Sequence, residues 1–287
     1  EPTLLLPMGF GAILVNLPFS GAVGEEGPLT ILFNAGIANE LFPLLLFIGI
    51  GAMIDFTPLL SNPKLMFFGA AAQFGIFFTR SMAALLGFSP TDSASIAIIG
   101  AADGPTSIFV AQTLGSKYIG AITVAAYSYM ALVPIIQPPV VKLCTTKKER
   151  LIRMDYTNIT VSKTTKLIFP IFVTIIAGIV APKSALLIGF LMFGNLIREC
   201  GVLDLLSDTA QNVLARLVTL LLGITVASKM QAQDFLSVET LMIIGLGLVA
   251  FVFDTVGGVM FAKIINLFSK TKINPMIGAA GISAFPM

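Results

Sequence analysis

The chain is built from apolar blocks separated by short polar, glycine-rich or proline-rich breaks. Apolar runs near twenty residues long predict membrane-crossing helices, because a helix of that length spans the ~30 Å hydrocarbon core of a bilayer. The pattern predicts helical segments at residues 3–17, 28–38, 40–60, 64–87, 91–116, 118–141, 167–181, 184–202, 209–228, 239–268 and 273–287. The first two segments and the last are short. We therefore expect an all-α integral membrane protein, a polytopic helical bundle.

Breaks inside the apolar segments are the most informative part of this pattern. Asp103-Gly104-Pro105 divides segment 91–116, the final piece reads INPMIGAAGISAFPM, and Asp254 and Gly257-Gly258 interrupt segment 239–268. Glycine and proline interrupt helices and free backbone carbonyls. Such backbone occurs at membrane depth only where protein or a water-filled cavity covers it. We expect broken, half-helix segments around Asp103 and around Asn274 to Ser283.

The two halves of the chain resemble each other. Residues 99–104 read IGAADG and residues 277–282 read IGAAGI, and GAMID at 51–55 matches GNLIR at 194–198 more weakly. Halves separated by an odd number of spans form two inverted repeats, the architecture of many secondary transporters. We predict an N-terminal membrane repeat at 1–141, a basic loop at 142–166 and a C-terminal membrane repeat at 167–287.

The predicted loop 142–166 gives the best indication of how the chain is oriented in the membrane. Its cations outnumber its acids, Glu149 and Asp155. The cations are Lys142, Lys147, Lys148, Arg150, Arg153, Lys163 and Lys166. By the positive-inside rule, a short basic loop stays on the cytoplasmic side of the membrane. The alternative interpretation is that the segment is charged only because it is a solvated loop. The predicted location is a prokaryotic inner membrane, crossed several times, with loop 142–166 in the cytoplasm.

Composition confirms the membrane class and narrows the chemistry. The chain is 56% hydrophobic and 11% charged with a mean hydropathy of +0.95, whereas soluble domains carry about 25% charged residues. The net charge of +2 gives no reason to expect a nucleic acid partner. Histidine is absent and the two cysteines have no metal-binding spacing. Any chemistry in this chain must therefore use carboxylates, hydroxyls, amides, phenols, backbone carbonyls and hard ions. The ends at Glu1 and Met287 lead us to expect a chain that is incomplete at both ends.

Asp103 is the first candidate for ion binding. A carboxylate beside freed carbonyls is the ligand set that hard cations prefer, and an intramembrane acid is costly unless it functions. The alternatives are a charge near the interface or a cap on the half-helix after Pro105. The second candidate segment holds Asn274, Gly278 and Ser283, which offer an amide oxygen, close backbone approach and a hydroxyl. Tight packing or a simple turn explains that segment equally well.

Other polar residues in apolar segments are weaker candidates. Tyr127 and Tyr129 belong to one span, where a phenol needs a partner or donates a proton, and Gln137 precedes two prolines. For the remaining polar groups a structural role is favoured over a functional one. These are Asp55, Arg80, Asn195, Arg198, Glu199 and Asp254.

Four motifs resemble the beta subunits of the sodium-pumping, biotin-dependent decarboxylases. They are GAADGPTSIF (100–109), VAAYSYMALVPIIQPP (124–139), FGNLIRECGVLDLLSDT (193–209) and KINPMIGAAGISAFPM (272–287). Together they are specific and extend over most of the chain. The family's last motif usually continues to an arginine that would follow Met287, so the role of that arginine is left unassigned.

The resemblance implies a membrane subunit that decarboxylates carboxybiotin, consumes a proton and exports Na⁺. It implies a biotin carrier protein, a carboxyltransferase alpha subunit and a small membrane gamma or delta subunit as partners, in an oligomer. By motif match, Asp103 is the acid of the sodium and proton site, which alternates between the two ions. Asn274, Gly278 and Ser283 match the second motif's ion site, and Tyr129 matches a tyrosine of the site or of proton delivery.

Two other functions share parts of this pattern. A secondary cation/proton antiporter or sodium–carboxylate symporter would have the same repeats and broken helices but would work without biotin. The third possibility is a channel or a structural membrane subunit. The Asp-Gly-Pro break argues against a passive structural subunit but does not exclude a channel. Neither the decarboxylated acid nor the sodium stoichiometry follows from the sequence.

Overall fold

The computed structural model describes residues 2–154, 161–232, 237–269 and 272–281, and within them it contains helices and no strand. The α-helices are α1 Pro2–Asn16, α2 Pro28–Leu32, α3 Leu41–Met53, α4 Thr57–Ser61, α5 Met66–Ala72, α6 Phe74–Leu85, α7 Pro90–Ala97, α8 Gly104–Thr113, α9 Ile119–Cys144, α10 Lys147–Arg150, α11 Lys163–Val180, α12 Ala185–Cys200, α13 Asp204–Asp208, α14 Ala215–Val226 and α15 Val238–Phe268. The all-α prediction is confirmed.

Several of these helices are long and apolar enough to cross a bilayer. Among the described residues the single spans are Lys163–Val180, Asp204–Lys229 and Val238–Phe268. Two bent pairs pass the same test when each is taken as one span: Pro28–Ile37 with Leu41–Met53, bent by 58°, and Ile119–Met130 with Ile135–Cys144, bent by 70°. The integral membrane prediction is supported by these lengths and compositions.

The outer surface of α11 has the composition expected of a lipid-facing or subunit-facing helix. Only 11% of its span is buried within the chain. Its exposed side chains are large and apolar, including Ile175, Ile179 and Val180, the last two 76% exposed. Water would penalise so much apolar surface, whereas hydrocarbon or another apolar surface does not.

The chain divides into two compact units, each made of segments from both halves of the sequence. Unit 1 contains residues Glu1–Leu5, Lys64–Thr157 and Lys229–Met287, and unit 2 contains Leu6–Pro63 and Asn158–Ser228. The repeat boundaries drawn at 141 and 167 describe the sequence and not these units, and they stay a prediction.

In unit 1 the 31-residue helix α15 is the central element, against which α5, α6, α9 and the two broken segments pack. Segment 239–268 is therefore one continuous helix, and the expected interruption at Asp254 and Gly257-Gly258 is wrong. The glycines serve close packing instead, since a side chain on Gly257 would meet Phe74 and Ala71. Phe78 stacks on Phe253 with ring centroids 4.1 Å apart.

Two helix breaks were not predicted from the sequence: segment 40–60 is divided between α3 and α4, and segment 64–87 is divided at Gln73. This segment is two helices, α5 and α6, joined at Gln73, and not one span. Neither glycine nor proline occupies Gln73, so the usual sequence signals of a helix break are missing there. The carbonyl of Gln73 accepts from the N–H groups of Ile76 and Phe77, at 3.1 and 3.4 Å, so backbone bonds continue into the first turn of α6.

Unit 2 contains a reciprocal crossing of α3 and α12. A side chain on Gly51 would collide with the carbonyl of Leu191, and one on Gly194 would collide with the carbonyl of Ile48. Gly51 and Gly194 are equivalent positions of the weaker sequence repeat, as are Ile48 and Leu191 at the same offset. Reciprocal contacts are what a two-fold relation between α3 and α12 produces, and the inverted repeats stay a prediction.

Side chains of α12 reinforce this crossing. Asn195, which is 1% exposed, donates to the carbonyl of Ile54 at 2.9 Å, and Arg198 donates to that of Met53 at 2.5 Å. Glu199 forms ion pairs with Lys166 at 3.6 Å and with Arg198 at 3.7 Å. These bonds satisfy the end of α3, which confirms the structural roles expected for Asn195, Arg198 and Glu199.

The polar connection between the repeats is shorter than predicted. Helix α9 continues to Cys144 and α11 begins at Lys163, so the helices include both ends of the predicted loop 142–166. The four-residue helix α10 follows a capping box, in which Thr146 and Glu149 bond reciprocally to each other's backbone N–H. The capping box gives this end of the loop a defined structure.

Candidate functional site

The backbone at Asp103 breaks the helix as the sequence predicts. A 3-10 turn, Ile98–Ala101, ends at Ala102, whose φ of +51° and ψ of +40° are left-handed. A non-glycine residue in this region is costly by roughly 1 kcal/mol or more. Asp103 is extended, with φ of −129° and ψ of 101°, and α8 starts at Gly104. Buried, strained backbone of this kind clusters at functional sites.

The side chain of Asp103 caps α8. Its carboxylate accepts from the Thr106 hydroxyl at 2.5 Å and from the Thr106 N–H at 3.4 Å. Its backbone carbonyl accepts from the Ser107 hydroxyl at 2.8 Å. The capping reading considered for Asp103 is therefore correct, and it is compatible with ion binding because a carboxylate has about four lone-pair positions.

Helix α9 covers this break with two side chains. The Gly104 N–H lies 3.2 Å from Sδ of Met130. The ring of Tyr127, 5% exposed, lies against Gly104, where a Cβ would come within 2.7 Å of Tyr127 Cδ1 and nearer still to other ring atoms. Only glycine permits this approach of the ring to the backbone.

The second broken segment is an irregular stretch, 272–274, followed by a 3-10 helix, Pro275–Gly281. A side chain on Gly278 would collide with the backbone of Gly258 on α15, and one on Gly258 would collide with that of Gly278. On the other side, Gln137 of α9 donates to the carbonyl of Ala279 at 2.8 Å. Helix α9 thus contacts both broken segments, Gly104 through Met130 and Ala279 through Gln137.

Asn274 is tied to the polar connection. Its amide nitrogen donates to the carbonyl of Arg150 at 3.0 Å and to that of Ile152 at 3.1 Å, and its amide oxygen accepts from Met276 N–H at 3.0 Å. That oxygen keeps one lone pair, the group that a cation would use. Nearby, Lys263 of α15 bonds to the carbonyl of Cys144 at 3.0 Å and to Glu149 at 3.2 Å.

Tyr129 forms its hydrogen bond with α15 and not with Asp103. Its hydroxyl donates to the backbone carbonyl of Ile244. Its ring lies where a side chain on Gly247 would come within 2.8 Å of Tyr129 Cε2. The need of a mid-span phenol for a partner is thus met by a helix carbonyl, and its role in proton delivery stays a prediction.

Unit 1 therefore contains all the predicted site residues that the structure describes. Within the described ranges, the hydrogen bonds of Asp103, Tyr129 and Asn274 go to different neighbours and do not connect these residues to one another. Ser283 lies outside the described residues. In the described part of the chain, no three His, Cys, Asp or Glu side chains lie close enough together to hold a metal ion. A cation site there would therefore use neutral oxygens beside Asp103.

Asp254 is a buried carboxyl group for which the sequence favoured a structural role over a functional one. It is 1% exposed in the middle of α15, and its Oδ1 accepts from the N–H of Ile76 at 3.1 Å. Its Oδ2 is buried without a hydrogen-bond partner, next to Gly100. The available signal was an acid inside an apolar span, which by default indicates function.

This arrangement defines a class of protein: a polytopic helical membrane protein with broken segments at Asp103 and at 272–281, each in contact with α9, and with carboxyl groups inside apolar segments. Such broken helices form the ion and substrate sites of transport proteins. The family model described as Na⁺-transporting oxaloacetate decarboxylase beta subunit matches residues 1–287.

Curated relatives agree with that match. The chain is 51% identical to methylmalonyl-CoA decarboxylase subunit beta of Veillonella parvula and 50% identical to glutaconyl-CoA decarboxylase subunit beta of Acidaminococcus fermentans, in each case over 100% of this chain and 76% of the relative. It is 41% identical to oxaloacetate decarboxylase beta chain of Klebsiella pneumoniae, over 100% of this chain and 80% of the relative. The chain belongs to the family of Na⁺-transporting decarboxylase beta subunits.

Proposed function

We propose that this chain decarboxylates carboxybiotin carried by a partner, consumes a proton in that step and couples it to export of Na⁺ across the membrane. The observation that carries the proposal is a partly buried, carboxylate-bearing helix break at Asp103 in a chain matched from end to end by the family of Na⁺-transporting decarboxylase beta subunits.

The geometry at Asp103 suits a transported cation. The carboxylate supplies charge, the Thr106 hydroxyl is a second oxygen within 2.5 Å of it, and the break removes the helical partners of nearby carbonyls. The left-handed residue Ala102 holds the carboxylate and these backbone groups in place. Asp103 binds Na⁺ or a proton but not both, so occupancy by one ion excludes the other.

Coupling needs an energy source. Moving one elementary charge against 100 mV costs about 2.3 kcal/mol, which ion binding alone does not provide. Decarboxylation of carboxybiotin releases carbon dioxide and places the consumed proton on the biotin nitrogen. A proton that leaves Asp103 for this step leaves a carboxylate free for Na⁺. Helix α9, in contact with both breaks, is the element that transmits a change from one to the other.

The second break supplies the remaining predicted ligands. Asn274 offers its amide oxygen, Gly278 its backbone and Ser283 its hydroxyl. The bonds of Asn274 to the carbonyls of Arg150 and Ile152 link this segment to the polar connection, where we place the cytoplasmic side of an inner membrane. Tyr129, bound to a carbonyl of α15, is the proposed proton-delivery residue.

The partners follow from the same proposal. Carboxybiotin arrives on a biotin carrier protein, after an alpha-type carboxyltransferase subunit has loaded it, and a small gamma- or delta-type membrane subunit completes an oligomer. Relatives that are 41–51% identical are named for oxaloacetate, methylmalonyl-CoA and glutaconyl-CoA. Closely related beta subunits thus occur with different acids, which supports a carboxyltransferase that selects the acid.

Sodium-dependent release of carbon dioxide tests the proposal. The purified membrane complex is supplied with carboxybiotin, and release is measured against Na⁺ concentration for the wild type, Asp103→Asn and the control Asp92→Asn. Sodium-stimulated release that disappears only in Asp103→Asn supports the proposal. Sodium transport that proceeds equally well without carboxybiotin would instead identify a secondary antiporter or symporter.

A further inference from the structure

We propose that Asp254 is a second ion-handling site of unit 1: its Oδ2 binds a proton in the conformation described here and exchanges it during turnover. This inference rests on the proposed function, which requires a proton to enter the chemistry but places only the carboxylate of Asp103 at an ion site. Asp254 is distinct from that carboxylate in its helix, its hydrogen bonds and its burial.

The two oxygens of Asp254 have different surroundings. Oδ1 caps the break at Gln73, because it accepts from the N–H of Ile76 at 3.1 Å and from that of Gly75. The Ile76 N–H also donates to the carbonyl of Gln73 at 3.1 Å, so the carboxylate shares this N–H of the first turn of α6 with the helix backbone. Oδ2 has no hydrogen-bond partner and is buried. A single carboxyl therefore stabilises a helix end with one oxygen and leaves the other unused.

The slot around Asp254 is lined by glycine. A Cβ on Gly75 would lie 2.5 Å from Oδ1, and a Cβ on Gly100 would collide with Oδ2. Gly100 belongs to the 3-10 turn that leads into Asp103, so the unused oxygen faces the predicted sodium-binding segment. Because α6 and the 98–101 turn each place a glycine here, the space between them accommodates the carboxyl group of Asp254.

A proton fits this slot better than a metal ion. A buried carboxylate oxygen without a donor is costly, and a hard cation would need several oxygen ligands around it. Oδ2 lies beside Gly100 and has no hydrogen-bond partner among the described residues. A hydroxyl without a partner, that of Thr79, lies four residues after Gly75 on the buried face of α6. It is a hydrogen-bonding group one turn away through which a proton could leave.

No charged neighbour neutralises Asp254 within the described residues. Arg80 of α6 is exposed, Asp92 of α7 bonds to Ser89 and Ser116, and Tyr129 of α9 bonds to α15. The other titratable groups of the packed elements form neither a hydrogen bond nor an ion pair with Asp254. They are Tyr127, Lys142 and Cys144 on α9, and Glu239 and Lys263 on α15 more than two turns away. The turns at 98–101 and 275–281 and helix α5 have none.

Proton exchange at this site is a balanced step. The O–H bond at Oδ2 breaks, the bonding electrons stay on the carboxylate, and the proton passes to water or to a neighbouring oxygen. Reprotonation from the opposite side of the membrane restores the neutral form. No oxidant, reductant or further reactant is required.

Infrared difference spectroscopy of the purified complex tests the proposal. Films of the wild type, Asp254→Asn and Asp92→Asn are perfused alternately with Na⁺-containing and Na⁺-free buffer at one pH, and the carbonyl band of protonated carboxyls is recorded. Asp92 is the matched control, since it is 7% exposed with both oxygens accepting from hydroxyls at 2.7 Å.

We expect a Na⁺-sensitive band that is lost in Asp254→Asn and kept in Asp92→Asn, together with a fall of about a hundredfold in coupled ²²Na⁺ uptake for Asp254→Asn. If Asp254→Asn does not fold, Asp254→Glu must shift the frequency of the band. A band that Na⁺ never alters, or no band lost in Asp254→Asn, would overturn the proposal. The spectra need no biotin, so failure of the proposed function appears separately, as wild-type uptake that ignores carboxybiotin.

Discussion

Gln137 of α9 donates a hydrogen bond of 2.8 Å to the backbone carbonyl of Ala279, in the second broken segment. Seven residues earlier on α9, Met130 contacts the first broken segment at Gly104. In a straight helix these positions would be about 10 Å apart, but α9 bends by 70° between its two halves. One bent helix therefore contacts both ion-site candidates.

Replacing Gln137 tests this link. We expect Gln137→Leu, which has a similar size but no donor, to leave the complex assembled and to lower coupled Na⁺ uptake several-fold. The physical reason is the lost hydrogen bond, worth about 1 kcal/mol, and a partly buried carbonyl of Ala279 that loses its donor. The control is Gln211→Leu in unit 2, which removes a 2.9 Å bond to Ser207. Equal uptake in both variants would show that the contact transmits nothing.

Thr106 should set the affinity of Asp103 for Na⁺. Thr106→Val removes the 2.5 Å hydroxyl bond to the carboxylate, and a bond to a charged group is worth about 1.5–3 kcal/mol. We expect the Na⁺ concentration for half-maximal uptake to rise about tenfold or more, because the unsupported carboxylate holds a proton more tightly. Thr106→Ser keeps the hydroxyl and should behave as wild type. An unchanged Na⁺ dependence in Thr106→Val would contradict this role.

The glycines of α15 provide a matched pair for stability. Gly258→Ala drives a Cβ into the backbone of Gly278, whereas Gly245 has no other atom within 4 Å of the same position. Overpacking against backbone costs about 1–3 kcal/mol, and alanine is favoured over glycine in a helix by about 1 kcal/mol. In detergent, thermal stability followed by size-exclusion chromatography should fall for Gly258→Ala and not for Gly245→Ala. Equal stability would place Gly278 away from α15.

Glu149 should make the polar connection sensitive to acid. Its pKa is lowered from the ordinary 4.5, first by the hydrogen bond from the Thr146 N–H and further by the Thr146 hydroxyl and Lys263. A lowered carboxyl pKa means that the bonds contribute fully above about 4.5 and are lost as the pH falls through the lower folded-state value. Burial opposes this shift, and the exposure of the pair keeps the effect small.

A spin label at Lys148→Cys, with Cys144 and Cys200 replaced by serine, measures this effect. The label should gain mobility only below pH 4.5, and in Glu149→Gln it should be mobile at neutral pH as well. A label whose mobility is independent of pH in both backgrounds would show that the capping box, and not the charge of Glu149, orders α10.

The sequence predicted the helical class and the break at Asp103 because proline, glycine and an acid leave strong local signals there. The break at Gln73 could not be predicted, since the carboxylate that accepts from the nearby Ile76 N–H belongs to Asp254, 178 residues away in the sequence. At Gly257-Gly258 the sequence predicted a break where the helix is continuous, and long-range contacts explain this error too. Those glycines are needed where α15 meets other backbone, and long-range packing of this kind is invisible in a local pattern.

The site residues also divide into those with a local sequence signal and those that depend on long-range contacts. Asp103 and its cap are local, so Asp103, Gly104 and Thr106 could be read from one short motif. The partners of Asn274 and Gln137 are carbonyls 124 and 142 residues away. Backbone carbonyls carry no side-chain signature, so no sequence pattern identifies them as partners.

The most direct test of the central proposal is ²²Na⁺ uptake into proteoliposomes that contain the purified complex and are supplied with a carboxylated biotin carrier. Wild type, Asp103→Asn and the Asp92→Asn control are measured with and without the carboxyl donor. We predict uptake that requires the carboxylated carrier, is lost in Asp103→Asn and persists in Asp92→Asn. Uptake that proceeds without the carrier, or that survives in Asp103→Asn, would contradict a decarboxylation-driven sodium pump centred on Asp103.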